Sequence, residues 1–230
     1  MKIGIIGAMD VEVATLKAKM EQVTTATHAA SAYFEGLLEG TPAVVVQCGV
    51  GKVNAAMCAQ ILCSVYGVTH IVNTGIAGSL SADLDIADLV ISRDAMYHDF
   101  DCVHFGYEMG KVPGMDVVSF PADEGLMAAA FAAAEAENPG HTKLGRIATG
   151  DLFVADRQAK NTVIAKTGAL CTEMEGAAIA HVAFRNKLPF VILRAISDKA
   201  DNSAEMDYPT FERQAAEHCA KITENFVQRL

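Results

Sequence analysis

Three acidic residues of the chain lie where a carboxyl group can do chemistry. Glu12 follows the apolar run Ile3-Gly4-Ile5-Ile6-Gly7, in Ala8-Met9-Asp10-Val11-Glu12. Glu175 lies in Cys171-Thr172-Glu173-Met174-Glu175-Gly176-Ala177-Ala178, and Asp198 closes Arg194-Ala195-Ile196-Ser197-Asp198. Each stands beside the end of a strand or in an apolar setting, and sites in open α/β sheets gather at the carboxyl ends of strands. A carboxyl group placed there can give or take a proton, with its pKa set by its surroundings. The plainer alternative is an acid at a helix start that interacts with the helix dipole. That alternative is weakest for Asp198, because the apolar run before it carries one charge only, Arg194. An arginine within a buried strand requires a partner or a ligand.

The elements that must position these acids follow from composition and pattern. The chain has 230 residues, 51% of them hydrophobic and 20% charged, with 18 basic against 28 acidic side chains and a net charge of −10. A chain this apolar can bury enough surface to fold, and its acidity argues against a nucleic-acid partner. The length suits one α/β domain spanning residues 1–230. Six cysteines form no Cys-x-x-Cys pair and mostly sit in apolar runs, as expected of free thiols in a cytoplasmic protein without a zinc site. The N-terminus is too short and Gly-broken for a signal peptide. Residues 53–82 carry no charge, but Asn54, Gln60, His70 and Asn73 interrupt them, so the stretch reads as a buried helix and strand and not a membrane span.

Strands are expected at Lys2–Ile6, Ala43–Cys48, His70–Thr74, Leu89–Ala95, Leu144–Thr149, Leu170–Thr172 and Phe190–Ala195. Helices are expected at Val11–Met20, Gly51–Tyr66, Asp123–Ala136, Arg157–Thr167, Glu175–Asn186 and Tyr208–Val227, with Asp10 capping the first and Asp207-Tyr208-Pro209 opening the last. Runs such as Val44-Val45-Val46 suggest strands covered on both faces. The alternation gives a parallel or mixed central sheet between helices. Residues His98–Phe120 fit neither period and read as a long loop of the kind that often carries function.

Two familiar motifs fail. Gly4-Ile5-Ile6-Gly7 lacks the full dinucleotide fingerprint and sits on the strand instead of after it. Gly49-Val50-Gly51-Lys52 is followed by Val53 where a phosphate loop needs Ser or Thr, so it reads as a strand-to-helix turn.

A set of motifs, taken in order, carries a family resemblance. These are Lys2 to Met9 with Glu12, Gly49-Val50-Gly51-Lys52-Val53-Asn54-Ala55-Ala56, Asn73-Thr74-Gly75-Ile76-Ala77-Gly78, and Tyr97-His98-Asp99 with Phe105-Gly106-Tyr107-Glu108. Gly150-Asp151-Leu152-Phe153, Glu173-Met174-Glu175, Ala178-Ile179-Ala180-His181 and Arg194 to Asp198 complete it. Over nearly its full length the sequence resembles the 5′-methylthioadenosine/S-adenosylhomocysteine nucleosidases of the nucleoside phosphorylase superfamily. The resemblance implies a single-domain, three-layer α/β fold, with a central mixed β-sheet flanked by helices. It implies hydrolysis of the bond between adenine and ribose, for methylthioadenosine, S-adenosylhomocysteine and, as a further candidate, 5′-deoxyadenosine. It also implies a role in methionine salvage, no metal or organic cofactor, no membrane and a homodimer.

The same resemblance assigns roles. Asp198 is the acid that protonates the departing base, Glu12 the base that aims the water, and Glu175 the carboxyl that grips the ribose and steadies its cationic form. Paired acids on opposite faces of the sugar parallel O-glycoside hydrolysis. Arg194 pairs with the carboxylates or holds the water. Phe153 stacks on adenine beside the Val154 backbone, with Ile76, Ala77, Gly78, Glu173 and Ser197 also at the substrate. Met9, Val50, Met174 and Tyr208 line the 5′ end, where adaptable apolar side chains suit a methylthio group. Val103, Phe105, Tyr107 and Pro113 reach into the neighbouring subunit's pocket. Two positions depart from the family pattern: Ile76 stands where many members carry Ser, and Tyr208 where Phe is common. Aminodeoxyfutalosine is therefore an alternative substrate. A purine nucleoside phosphorylase and a non-catalytic adenosine-binding module are further alternatives. The first is disfavoured by Asn73 where phosphorylases carry a phosphate-gripping Arg, and by Glu12, which would repel phosphate. The second is disfavoured by the presence of all three acids.

Overall fold

The computed structural model describes residues 1–201 and 204–230, and of residues 204–207 only the backbone. Five apolar residues with every side chain buried form β1 (Ile3–Gly7). It pairs in parallel with β4 (Thr41–Gln47) on one side and β5 (His70–Ser79) on the other. β1 and the Ala43–Val46 stretch of β4 are continuously apolar because helices cover both of their faces. β6 (Leu89–Tyr97), β8 (Thr142–Thr149), β9 (Cys171–Glu173) and β10 (Phe190–Asp198) extend the sheet, in the order β10-β6-β8-β9-β5-β1-β4. β10 also pairs with β5, so these five strands close on one another. The sheet is mixed: β10 runs parallel to β5 but antiparallel to β6.

Two helical layers enclose it. On one face α1 (Asp10–Lys19), α3 (Glu124–Glu137) and α6 (Ala204–Val227) share a core with Ile3, Ile5, Val72, Leu193 and Phe226. On the other, α2 (Lys52–Ser64) and α5 (Gly176–Asn186) bury Ala55, Leu62, Ile179 and Ala183 against Ile6, Val44 and Ile192. α4 (Arg157–Thr167) packs Val163 beside Leu80, Ala148 and Val154. The expected mixed sheet between helices is what the chain forms.

Several local expectations are corrected. β2 (Glu21–His28) and β3 (Ser31–Leu38) form an antiparallel hairpin beyond β4 that the pattern did not reveal. Seven of the eight β2 residues are exposed, so this edge strand has no buried face to impose an alternation. A two-residue β7 (Phe120–Pro121) ends the long loop, which otherwise contains one 3-10 turn at Val103–Phe105. Asp10 does not cap α1. Met9 is the cap residue, Asp10 pairs with Lys17, and Glu12 turns back to accept the Met9 N–H. α6 begins at Ala204, ahead of the expected Tyr208, with Pro209 inside it; the side chain of Asp207 lies outside the described residues.

Gly145 on β8 shows how tightly these layers meet. A Cβ there would lie 2.6 Å from Leu170 Cγ. Gly145→Ala should therefore destabilise the protein by about 1–3 kcal/mol, the usual cost of overpacking. Thermal unfolding should show a Tm lower by several degrees, and an unchanged Tm would contradict this packing.

Candidate active site

The three acids converge because the strands that precede them end together. Glu12 sits one turn into α1, directly after β1. Its Oε2 accepts the N–H groups of Ala8 at 2.6 Å and Met9 at 2.9 Å, and its Oε1 accepts that of Ile76 at 3.1 Å. Gly75 must lack a side chain, since a Cβ would lie 2.9 Å from Glu12 Cδ. Burial pushes the Glu12 pKa up, while Arg194 and the three backbone N–H groups pull it back.

Glu175 caps the start of α5 and accepts the Gly51 N–H at 2.7 Å. Gly51 can present that N–H because it adopts φ +99°, in the positive-φ region natural to glycine. Burial first, and then the negative charge of Glu173, push the Glu175 pKa up to about 8.

Asp198 ends β10, where the register against β5 shifts between Ile196 and Asp198. The irregularity re-aims the side chain at the strand end. Its Oδ1 accepts the Ala200 N–H at 2.7 Å and its Oδ2 accepts the Ser197 hydroxyl at 2.9 Å. Gly78 faces it, and a Cβ there would lie 2.9 Å from Asp198 Oδ1. Two residues of β5 separate the amide that holds Glu12 from the glycine that faces Asp198. At about 3.3 Å per residue these two contact points lie about 7 Å apart along the strand.

Behind the acids lies a buried network in which Arg194 finds the carboxylate partner expected of it, with Asn73 and Thr149 as members that the sequence did not disclose. Arg194 Nη2 meets Glu173 Oε2 at 2.5 Å and Asn73 Oδ1 at 2.5 Å. Asn73 in turn donates to the Ile6 carbonyl at 2.8 Å. Glu173 also accepts the N–H groups of Glu175 and Gly176 and the Thr149 hydroxyl, and so fixes the start of α5. Burial works against the Arg194 charge, but Glu173, Glu12 and Glu175 outweigh it and raise its pKa.

One cleft brings most of the expected residues together. Glu12, Glu175 and Asp198 line it with Met9, Val50, Ile76, Ala77, Gly78, Phe153, Val154, Glu173, Met174, Ser197 and Tyr208. Ala8, Leu152 and Thr172 also line it and were not anticipated, although each adjoins an anticipated residue. Arg194 is not among the lining residues; it stands behind Glu173. Val103, Phe105, Tyr107 and Pro113 do not line the cleft of their own chain and are exposed, Phe105 by 82%. Lys52, the cation of the glycine turn, contacts Asp99 at 2.5 Å and Asp151 at 3.6 Å. Among the described residues, no group of three or more His, Cys, Asp and Glu side chains is placed to hold a metal ion.

The phosphorylase superfamily model matches residues 2–228. A 5′-methylthioadenosine/S-adenosylhomocysteine nucleosidase of Bacillus cereus (strain B4264) is 40% identical over 231 aligned residues, with 100% of both chains covered. A nucleosidase of the same description from Colwellia psychrerythraea, solved in complex with adenine, superposes with a TM-score of 0.96 at 37% identity, over 100% of this chain and 96% of that one. The futalosine hydrolase of Helicobacter pylori superposes with a TM-score of 0.95 at 30% identity, over 100% of this chain and 98% of that one. The chain thus belongs to the phosphorylase superfamily and, within it, to the 5′-methylthioadenosine/S-adenosylhomocysteine nucleosidase family.

The raised pKa of Glu175 gives a test of the site's electrostatics. The folded protein holds this proton to about pH 8, whereas the ordinary value is 4.5. Between those values the folded state binds more protons than the unfolded chain, so the site's contribution to stability falls as pH rises. Glu12 is shifted in the same direction. Glu175→Gln removes the Glu175 part, so its Tm should decline less than that of the wild type between about pH 5 and about pH 9. Parallel declines would show that Glu175 does not hold the proton.

Proposed function

We propose that the protein hydrolyses the N-glycosidic bond of 5′-methylthioadenosine and S-adenosylhomocysteine, releasing adenine and the 5-thio-substituted ribose. The observation that carries this reading is the lining of the cleft. It holds four carboxyl side chains, those of Glu12, Glu173, Glu175 and Asp198, and among its described lining no lysine or arginine. A phosphate dianion would find no cation in that lining to hold it, whereas water and a cationic sugar suit it.

Breaking the bond leaves positive charge on the ribose and negative charge on the base. Asp198, at the strand end beside Gly78 and Val154, gives its proton to the imidazole-ring nitrogen of adenine. Phe153, half exposed at the mouth, offers its ring to the face of the base. Glu12 has both oxygens anchored by backbone N–H groups, so its orientation is preset for taking a proton from the attacking water. Glu175 grips the ribose hydroxyls. As the sugar becomes cationic its charge lowers the proton affinity of Glu175, so that attraction is strongest in the transition state. Arg194 acts through Glu173, which it holds in place.

The exposed side chains of Val103, Phe105 and Tyr107, with Pro113, complete the 5′ end of the cleft in a second copy, which makes the protein a homodimer. Six free cysteines suit a reducing compartment, so the protein works in the cytoplasm, where its thio-sugar product enters methionine salvage. Futalosine-type nucleosides are the second reading, because a futalosine hydrolase shares this fold closely.

Chromatography of a panel of methylthioadenosine, S-adenosylhomocysteine, deoxyadenosine, aminodeoxyfutalosine and inosine tests the substrate class. Adenine should appear fastest from the two thioethers; a preference for aminodeoxyfutalosine would favour the second reading. Glu12→Gln should abolish turnover while retaining binding of a non-hydrolysable nucleoside analogue. Asp198→Asn should lose about 10²–10⁴-fold in kcat, the usual worth of general acid–base help. Near-normal rates in either variant would overturn these roles.

A further inference from the structure

The apolar end of the cleft contains one polar group that the reaction does not use. Tyr208, on the first turns of α6, lines the cleft and presents its hydroxyl 3.4 Å from the Met9 sulfur. Its ring meets that of Phe153 edge-on, with centroids 5.4 Å apart. The same hydroxyl lies 3.1 Å from Glu212 Oε1, one helical turn further along α6. A phenol has a single proton, and a carboxylate is a far better acceptor than a thioether. The proton therefore goes to Glu212, and the Tyr208 oxygen turns only lone pairs towards the cleft. Burial first, and then Glu212, raise the Tyr208 pKa, so the phenol keeps that proton at neutral pH.

Glu212 is half-buried, and among the described residues no lysine or arginine pairs with it. The neighbouring cation on α6, Arg213, lies 4.0 Å from Glu217 instead. The wall around Met9 and Tyr208 thus combines apolar surface for a thioether with an acceptor backed by an acid. A methylthio group uses only the first of these features. A longer 5′ substituent that ends in an ammonium group can use both.

We propose that Tyr208 and Glu212 form a cation-selective determinant at the 5′ end of the cleft, which favours substrates whose thioether chain bears an ammonium group, as in S-adenosylhomocysteine. This rests on the nucleosidase reading above. It makes Tyr208 a specificity-determining residue and Glu212 a positioning residue that acts through it.

The test compares S-adenosylhomocysteine with its analogue lacking the amino group, and with methylthioadenosine, using the full chain. In the wild type kcat/KM should favour the amino-bearing compound over the analogue by about tenfold, the scale of one charge-assisted contact. The difference should lie in KM, because the ammonium is remote from the reacting bond. Tyr208→Phe and Glu212→Gln should each bring that ratio close to one, and Glu212→Asp should restore part of it. Equal kcat/KM for the two compounds in the wild type would overturn the inference, without any variant needing to fold. A ratio that survives in Glu212→Gln would overturn it as well. Adenine release from methylthioadenosine but no amino-group discrimination leaves the nucleosidase reading standing and this one refuted. Release from none of the three would refute both.

Discussion

The ion pair between Arg194 and Glu173 is the contact around which the site is built. Both side chains are almost fully buried, and their charged atoms meet at 2.5 Å. Burying two charges is costly, and removing either partner from such a pair costs about 3–5 kcal/mol, because the other is left uncompensated. The pair is tolerated because most of its remaining polar atoms are engaged, Arg194 Nε being the exception among the described contacts. Arg194 binds Asn73 on β5 and the Leu193 carbonyl, and Glu173 binds Thr149 on β8 and the first turn of α5. Through Asn73 the network also reaches the carbonyl of Ile6 on β1. One arginine on β10 thereby ties its own strand to β9, β5, β8, β1 and a helix start, and the ends of three of these strands lead into the acids.

The same cluster sets the charge on the site. Glu12, Glu173 and Glu175 surround a single guanidinium, so the carboxyl groups cannot all ionise cheaply. Their environments separate them. Glu12 is stapled to three backbone N–H groups, Glu173 is paired with Arg194, and Glu175 keeps its proton to about pH 8. Asp198 stands apart, bracketed by Ser197 and Ala200 at the far end of the same stretch of β5. A site that must take a proton at one place, give one at another and face a cation between them needs such inequality.

Much of the fold and most of the cleft could be read from the chain. β1, β4 and β10 announce themselves because both of their faces are covered, which leaves runs such as Ile3–Ile6, Ala43–Val46 and Phe190–Leu193 without a charge. Glu12 and Asp198 are visible because each follows such a run, and Glu175 because it follows the short buried strand Cys171–Glu173. What escaped has physical reasons. β2 exposes Thr24, Thr25 and Thr27 at a sheet edge, so nothing buries one of its faces. Met9 in place of Asp10 caps α1 because Glu12 turns back to the helix start, a choice fixed by Ile76 on a distant strand. In the Asn73–Arg194–Glu173–Thr149 network the first link spans 121 positions and the others 21 and 24, and no local pattern encodes them. Tyr208 was legible as a pocket residue, but its link to Glu212 depends on the path of α6, which starts earlier than Pro209 suggests.

The central claim is that water, not phosphate, attacks the sugar in a cleft lined by acids. Mass spectrometry of the products formed from 5′-methylthioadenosine, with and without inorganic phosphate, tests it most directly. Equal yields of adenine and free methylthioribose, at a rate that phosphate does not change, are expected. Adenine release that depends on phosphate and yields the sugar 1-phosphate would contradict it.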